Sequence, residues 1–269
     1  MDFSKVKLVV SDMDGTLLNP NHEVSARFFD LFKQFKENNI HFVAASGRQY
    51  HSIIDKLDPI KNEISVIAEN GGFMRHDNVM EVLLKLTSDE IKVCVEKLRT
   101  IEGAYIVLCG KKGAYIESRN DDFISKFTEY YTSYELVEDL TKVEDDEFLK
   151  IAVFHFESSE KDVLPQIDAI TKDLQVTVSG QNWLDISHKE ANKGYALTML
   201  QNKLGIKVDE TLVFGDYNND LQMLELAYFS YAMANAHPDV KKVARFETKS
   251  NSDEGVETII EKLLVSKVG

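Results

Sequence analysis

The stretch "LVVSDMDGTLL", residues 8–18, decides the fold. It opens as a short run of apolar, largely β-branched side chains, as a strand buried on both faces requires. It then delivers Asp12 and Asp14, one residue apart, followed at once by Gly15 and Thr16. A buried carboxylate is costly unless it is paired or bound to a metal. Two of them at the end of an apolar strand point to a site, because ligands of open parallel sheets lie beyond the carboxyl ends of the strands. Alternate residues of an extended segment project to the same side, so both acids can face one pocket.

The pattern repeats outward from there. "VSARFFDLFKQFKENN" carries Val24, Phe28, Phe32 and Phe35 at helical spacing. "IHFVAASGR" is a second apolar strand, ending in Ser46, Gly47 and Arg48, and a short helix, "YHSIIDKLD", stops before Pro59. "SVIAENGG" is a third strand, ending in Glu69, Asn70 and Gly71. Much later, "NKGYALTMLQNKLG" reads as a helix closed by Gly205, "TLVFGDYNNDLQMLELA" as strand, loop and helix, and "FSYAMANA" as a strand. Strands alternating with helices predict an α/β doubly wound parallel sheet.

The middle of the chain reads differently. "TSDEIKVCVEKLRTI" is a helix with a capping box from Thr87 to Glu90. "AYIVLCG" and "GAYIES" form a hairpin, "DDFISKFTEYYTSY" is helical, "FLKIAVFHF" is a strand, "DVLPQIDAITKDL" is mostly helix, and "QVTVSG" with "WLDIS" is a closing strand pair. The expectation is a doubly wound core, residues 1–83 and 189–269, interrupted by an inserted α+β domain, residues 84–188.

Bulk properties narrow the function. The 269 residues are 43% hydrophobic and 28% charged, as in ordinary globular proteins. A formal net charge of -14 disfavours nucleic acid and acidic membranes as partners. An anionic substrate would need compensation by a metal or by local lysine and arginine. Two cysteines, Cys94 and Cys109, fit a reduced cytoplasmic chain. No apolar run reaches membrane-span length, and "MDFSKVKLVV" lacks the apolar region of a signal peptide. Trp183 reads first as packing and second as a residue that faces substrate, and the histidines show no ligand spacing.

The chemistry collects at strand ends: Asp12, Asp14 and Thr16; Ser46, Gly47 and Arg48; Glu69 and Asn70; Gly215, Asp216, Asn219 and Asp220. Several carboxylates in one pocket repel one another, and a divalent cation removes the repulsion. The donors are oxygens, so a hard ion such as magnesium is favoured over zinc. "DYNNDLQML" is not a calcium loop, because Leu221 and Ala227 stand where that motif needs glycine and glutamate.

Taken together, Asp12-Met13-Asp14-Gly15-Thr16, Ser46-Gly47-Arg48, Lys193-Gly194 and Gly215-Asp216-Tyr217-Asn218-Asn219-Asp220 resemble the four motifs of the haloacid dehalogenase superfamily. The order of the motifs and the insertion between the second and third are similar to the Cof-type phosphatases. That group carries the second of the superfamily's two main cap classes, and "AENGG" and "KEANKGYAL" strengthen the likeness.

The resemblance implies a Rossmann-like core and the following roles. Asp12 is the nucleophile that forms an aspartyl-phosphate, Asp14 the general acid and base, and Thr16 a residue that orients Asp12. Mg2+ touches the Asp12 side chain, the Asp14 carbonyl and the Asp216 side chain. Met13, Ser46, Gly47, Arg48, Lys193 and Asn219 are the phosphate- or substrate-contacting positions, and Asp220 supports Lys193 or metal-bound water. The implied activity is hydrolysis of small phosphorylated metabolites, such as sugar phosphates, by a monomer or weak homodimer. A phosphomutase shares the same motifs. A phospho-accepting receiver module is a further alternative, although it needs neither Asp14 nor a cap.

Overall fold

The computed structural model describes residues 2–268. Fourteen strands occur among them: β1 (Leu8–Asp12), β2 (His41–Ala45), β3 (Ser65–Ala68), β4 (Phe73–His76), β5 (Val79–Val82), β6 (Ala104–Gly110), β7 (Ala114–Ile116), β8 (Tyr134–Leu136), β9 (Phe148–His155), β10 (Leu174–Val178), β11 (Trp183–His188), β12 (Thr211–Gly215), β13 (Phe229–Ala232) and β14 (Phe246–Glu247). They form two sheets. The first has the order β14-β13-β12-β1-β2-β3-β4-β5 and the second β10-β11-β9-β6-β7-β8.

In the first sheet every neighbour from β14 to β3 is parallel, and β4 and β5 add an antiparallel hairpin at the edge. β1 lies at its centre, paired with β12 and β2, and all five of its residues are buried. This is why "LVVSD" is nearly all apolar: neither face of a central parallel strand meets water. Helices cover the sheet, and the apolar core runs from Phe3 to Leu264. No helix among the described residues is long and apolar enough to cross a membrane.

The second sheet is antiparallel except between β7 and β8. One face packs Ile106, Leu108, Ile151, Val153, Leu184 and Ile186 against the helix Ser88–Leu98. On the other face Val107, Cys109, Ala152 and Phe154 pack with Phe123, Phe127 and Tyr131. Strand alternation puts Lys150 and Asp185 on this second face, Lys150 opposite Ser187 and Asp185 opposite Ala152. Cys94 and Cys109 are both free and buried.

Several local expectations change. The first helix is only Ala26–Phe32. Beyond it the chain runs through turns, yet Phe35 is still buried, so the aromatic stripe serves the core without a continuous helix. The helix in "DDFISKFTEYYTSY" ends at Phe127, and Tyr134–Leu136 becomes β8. In "DVLPQIDAITKDL" only the short turn of helix Leu164–Ile167 forms, preceded by another, Ser159–Asp162, that ends at its first residue. The β4–β5 hairpin was not foreseen. Its signal is Asp77-Asn78, both at positive φ (48° and 63°), a pair that favours a two-residue hairpin turn.

Candidate active site

The register of β1 against β2 and β12 brings three strand ends together, so Asp12, Ser46 and Asp216 emerge at one edge. Just past β1 the chain turns at Gly15 (φ +75°). A Cβ there would lie 2.3 Å from Asp216 Oδ2, so only glycine lets the loop close against that carboxylate. Thr16 Oγ1 donates to Asp216 Oδ1 at 2.9 Å. The expectation that Thr16 orients Asp12 is therefore corrected: its hydroxyl holds Asp216.

Lys193 opens the helix Lys193–Leu204, with Asn192 as its N-cap. Its side chain is fully buried, and Nζ donates to Asp12 Oδ1 at 2.5 Å and Asp220 Oδ1 at 2.6 Å. Asp220 Oδ2 accepts from the Asp216 and Tyr217 amides at 2.9 and 3.1 Å. Asp220 thus ties the β12 loop to the lysine. Neither Lys193 nor Asp220 lines the cavity above the site. Lys193, expected at the phosphate, spends its side chain on Asp12 and Asp220.

Asp12, Asp216 and Asp220 have carboxylate oxygens within 4.8 Å of one another. Burial pushes Asp12 well above the ordinary carboxyl range, against the pull of Lys193. Burial, then the charge of Asp220, pushes Asp216 up to about 7. A hard divalent cation fits this site: the donors are all oxygens, one lysine cannot neutralise three acids, and Asp12 and Asp216 line the cavity.

Asp14 is placed differently. Arg48 grips its carboxylate, with Nε to Oδ2 and Nη2 to Oδ1 both at 2.6 Å, and His22 Nδ1 stands 3.4 Å away. Burial pushes the group up, but the Arg48 hydrogen bonds and charge outweigh it and hold it below its usual range. The Asp14 side chain is thus outside the acidic cluster. Arg48, expected at substrate, also donates through Nη1 to Ser52 Oγ and to the Glu129 carbonyl, and lies 4.7 Å over the Tyr130 ring. Its contacts join Asp14 to the second sheet's unit.

The remaining candidates divide. Ser46 and Gly47 line the cavity, Ser46 Oγ accepts from the Arg48 amide at 3.1 Å, and the Gly47 N–H has no acceptor among the described residues. Asn219 lines it too, donating to Asn70 Oδ1 at 3.0 Å. Met13 is corrected: its side chain is fully buried in the core, so any phosphate contact falls to its backbone. The cavity, of about 600 Å³, is roofed by Tyr130, Tyr131, Phe154 and Trp183. Trp183 packs on the other three rings at centroid distances of 5.0–5.9 Å while facing the cavity, so the packing reading was half of its role. Sequence reasoning missed Lys150 and Asp185, which also line it. Their signal was a lysine inside apolar "FLKIAVFHF" and an aspartate inside "WLDIS".

A family model for haloacid dehalogenase-like hydrolases matches residues 9–260. The chain belongs to that family. This hydrolase is 35% identical over 266 residues to the Escherichia coli K12 5-amino-6-(5-phospho-D-ribitylamino)uracil phosphatase YbjI, covering 96% of each chain. It is 33% identical to the putative phosphatase YxeH of Bacillus subtilis, covering 97% of this chain and 99% of the relative. A solved structure from Streptococcus mutans UA159 superposes with a TM-score of 0.88 at 29% identity, over 97% of this hydrolase and 99% of that chain. The doubly wound core, read from alternating strands and helices, and the cap that the resemblance implied agree with the fold of this family.

Proposed function

We propose that this hydrolase is a Mg2+-dependent phosphatase of small phosphorylated metabolites, with residues 84–188 as the cap that closes its cavity. The observation that carries the reading is Asp12: it ends the central strand, is held by Lys193, stands beside Asp216 and opens onto a cavity of about 600 Å³. In the first step the Asp12 carboxylate attacks phosphorus, an Asp12–phosphorus bond forms, and the bond to the leaving oxygen breaks. For Asp14 to give a proton to that oxygen, and then take one from the water that attacks phosphorus and releases Asp12, its carboxyl must leave the Arg48 grip and take up a proton as substrate binds. A magnesium ion held by the Asp12 and Asp216 carboxylates and the Asp14 carbonyl would supply charge neutralisation between two anions. Ser46 and the free Gly47 amide suit phosphate oxygens, and Lys193 holds Asp12 in place from below.

The aromatic roof favours a leaving group with a flat or apolar face. A uracil-bearing substrate, as in the name of the Escherichia coli relative, has such a face. The test is turnover of p-nitrophenyl phosphate, then of a panel of sugar phosphates and phosphorylated ribitylaminopyrimidines, by wild type and Asp12→Asn. Metal-dependent hydrolysis that Asp12→Asn abolishes is expected. Undiminished turnover by Asp12→Asn would overturn the reading, and transfer to a second hydroxyl instead of water would make the protein a mutase.

A further inference from the structure

At the junction of the two units lies a lysine that solvent barely reaches. Lys150, in the middle of β9, is 2% exposed. Three oxygens surround its Nζ: the Gly47 carbonyl at 2.8 Å, Glu69 Oε2 at 3.0 Å and Asp185 Oδ2 at 3.2 Å. The Gly47 contact is a hydrogen bond, and the two carboxylates are ion pairs that hold the ammonium against that carbonyl.

The Gly47 carbonyl belongs to the loop that lines the cavity. The carbonyls on either side of it are held as well: Ser46 O accepts from the Asn70 amide and Arg48 O from the Glu69 amide, both at 3.1 Å. Three consecutive carbonyls are thus fixed from behind, the outer two by the 69–70 turn and the middle one by the cap. That turn is itself strained. Glu69, Asn70 and Gly71 all have positive φ (51°, 51° and 93°), a conformation that non-glycine residues keep only where their surroundings impose it.

The surroundings are visible. Lys150 pairs with Glu69, and Asp185 Oδ2 accepts from Asn70 Nδ2 at 2.7 Å. A Cβ on Gly71 would come within 2.1 Å of the Asn192 carbonyl, next to Lys193. Both Glu69 carboxylate oxygens are buried with no hydrogen-bond partner, so the ion pair with Lys150 is what makes a charged Glu69 tolerable there.

We propose that Lys150 is a positioning residue. It fixes the Gly47 carbonyl from the cap, so phosphate affinity depends on that hydrogen bond. The inference rests on the phosphate reading of the cavity given above. A rival role is purely structural, the neutralising of two buried acids. Lys150→Met alone cannot separate the two roles, because it strands Glu69 and Asp185 unpaired.

The deciding variant is Lys150→Met combined with Glu69→Gln and Asp185→Asn, which removes the buried charges together. Its melting temperature, and kcat, KM and the competitive inhibition constant of inorganic phosphate with p-nitrophenyl phosphate as substrate, are compared with wild type. Expected is a melting temperature near wild type, phosphate binding weaker by about tenfold or more, and KM moved more than kcat. Wild-type phosphate affinity in this variant overturns the proposal. So does failure of the charge-free variant to fold, which would assign the three side chains to stability. A wild-type protein that neither hydrolyses the aryl phosphate nor binds phosphate overturns the phosphate reading and the proposal with it. Failure of the triple variant alone overturns only the role of Lys150.

Discussion

Replacing Lys193 by methionine removes one charge and almost no volume. The lysine donates at 2.5 and 2.6 Å to Asp12 and Asp220, with no exposed surface. At an effective dielectric of about 20, a contact of that length carries roughly 6 kcal/mol of attraction. Two such contacts are offset largely by the cost of bringing the charges out of water. The net loss on breaking a buried pair is ~3–5 kcal/mol, because the surviving carboxylates stay buried without their cation. For a chain of this size each kcal/mol moves the melting temperature by ~2–4 °C, so a drop on the order of 10 °C is expected in chelator. Saturating Mg2+ should restore part of it, since a cation at 100 times its dissociation constant stabilises by about 2.7 kcal/mol. Turnover of p-nitrophenyl phosphate should fall by ~10²–10³. The measurement is thermal unfolding of both proteins with EDTA and with Mg2+, followed by kcat/KM. A Lys193→Met protein that melts within about 2 °C of wild type in chelator would show that the triad of acids needs no lysine, and the reasoning would be wrong.

Two further outcomes are open to direct check. Without metal, stability should fall as pH rises from about 4 to 7: folded Asp216, held up at about 7, keeps a proton that the unfolded chain releases near 3.9. Urea titrations across that range should show the slope in EDTA and a shallower one in Asp216→Asn or with Mg2+, since Asp12 is raised as well; a flat wild-type profile in EDTA contradicts the coupling. Gly15→Ala forces a Cβ to 2.3 Å from Asp216 Oδ2 at φ +75°, and should cost about 1–3 kcal/mol of stability and weaken Mg2+ activation; a wild-type magnesium titration would remove Gly15 from the site.

Much of this was legible in the residues. β1 could be read because a central parallel strand has no polar face, the acids at strand ends because a buried carboxylate needs a partner, and the four motifs through their resemblance to a family. What escaped had physical causes. The β4–β5 hairpin lies between two stretches of stronger pattern, and its Asp77-Asn78 turn is a weaker marker than Asn-Gly. Thr16 sits beside Asp12 in sequence but bonds Asp216, 200 residues away, a choice made by tertiary packing. Arg48 pairs with Asp14 across two neighbouring strand ends of the core, and Lys150 meets Glu69 and Gly47 only because the cap folds back over it. Periodicity along one segment carries no signal of such contacts between distant segments.

The account stands on Asp12 as the atom donor to phosphorus. The most direct measurement is acid quenching of the enzyme during steady turnover of p-nitrophenyl phosphate with Mg2+, then peptide mapping by mass spectrometry. The account predicts one phosphoryl group on Asp12, labile to hydroxylamine and absent from Asp12→Asn. Phosphate on another residue, or continued turnover by Asp12→Asn with no phosphorylated peptide, would contradict it.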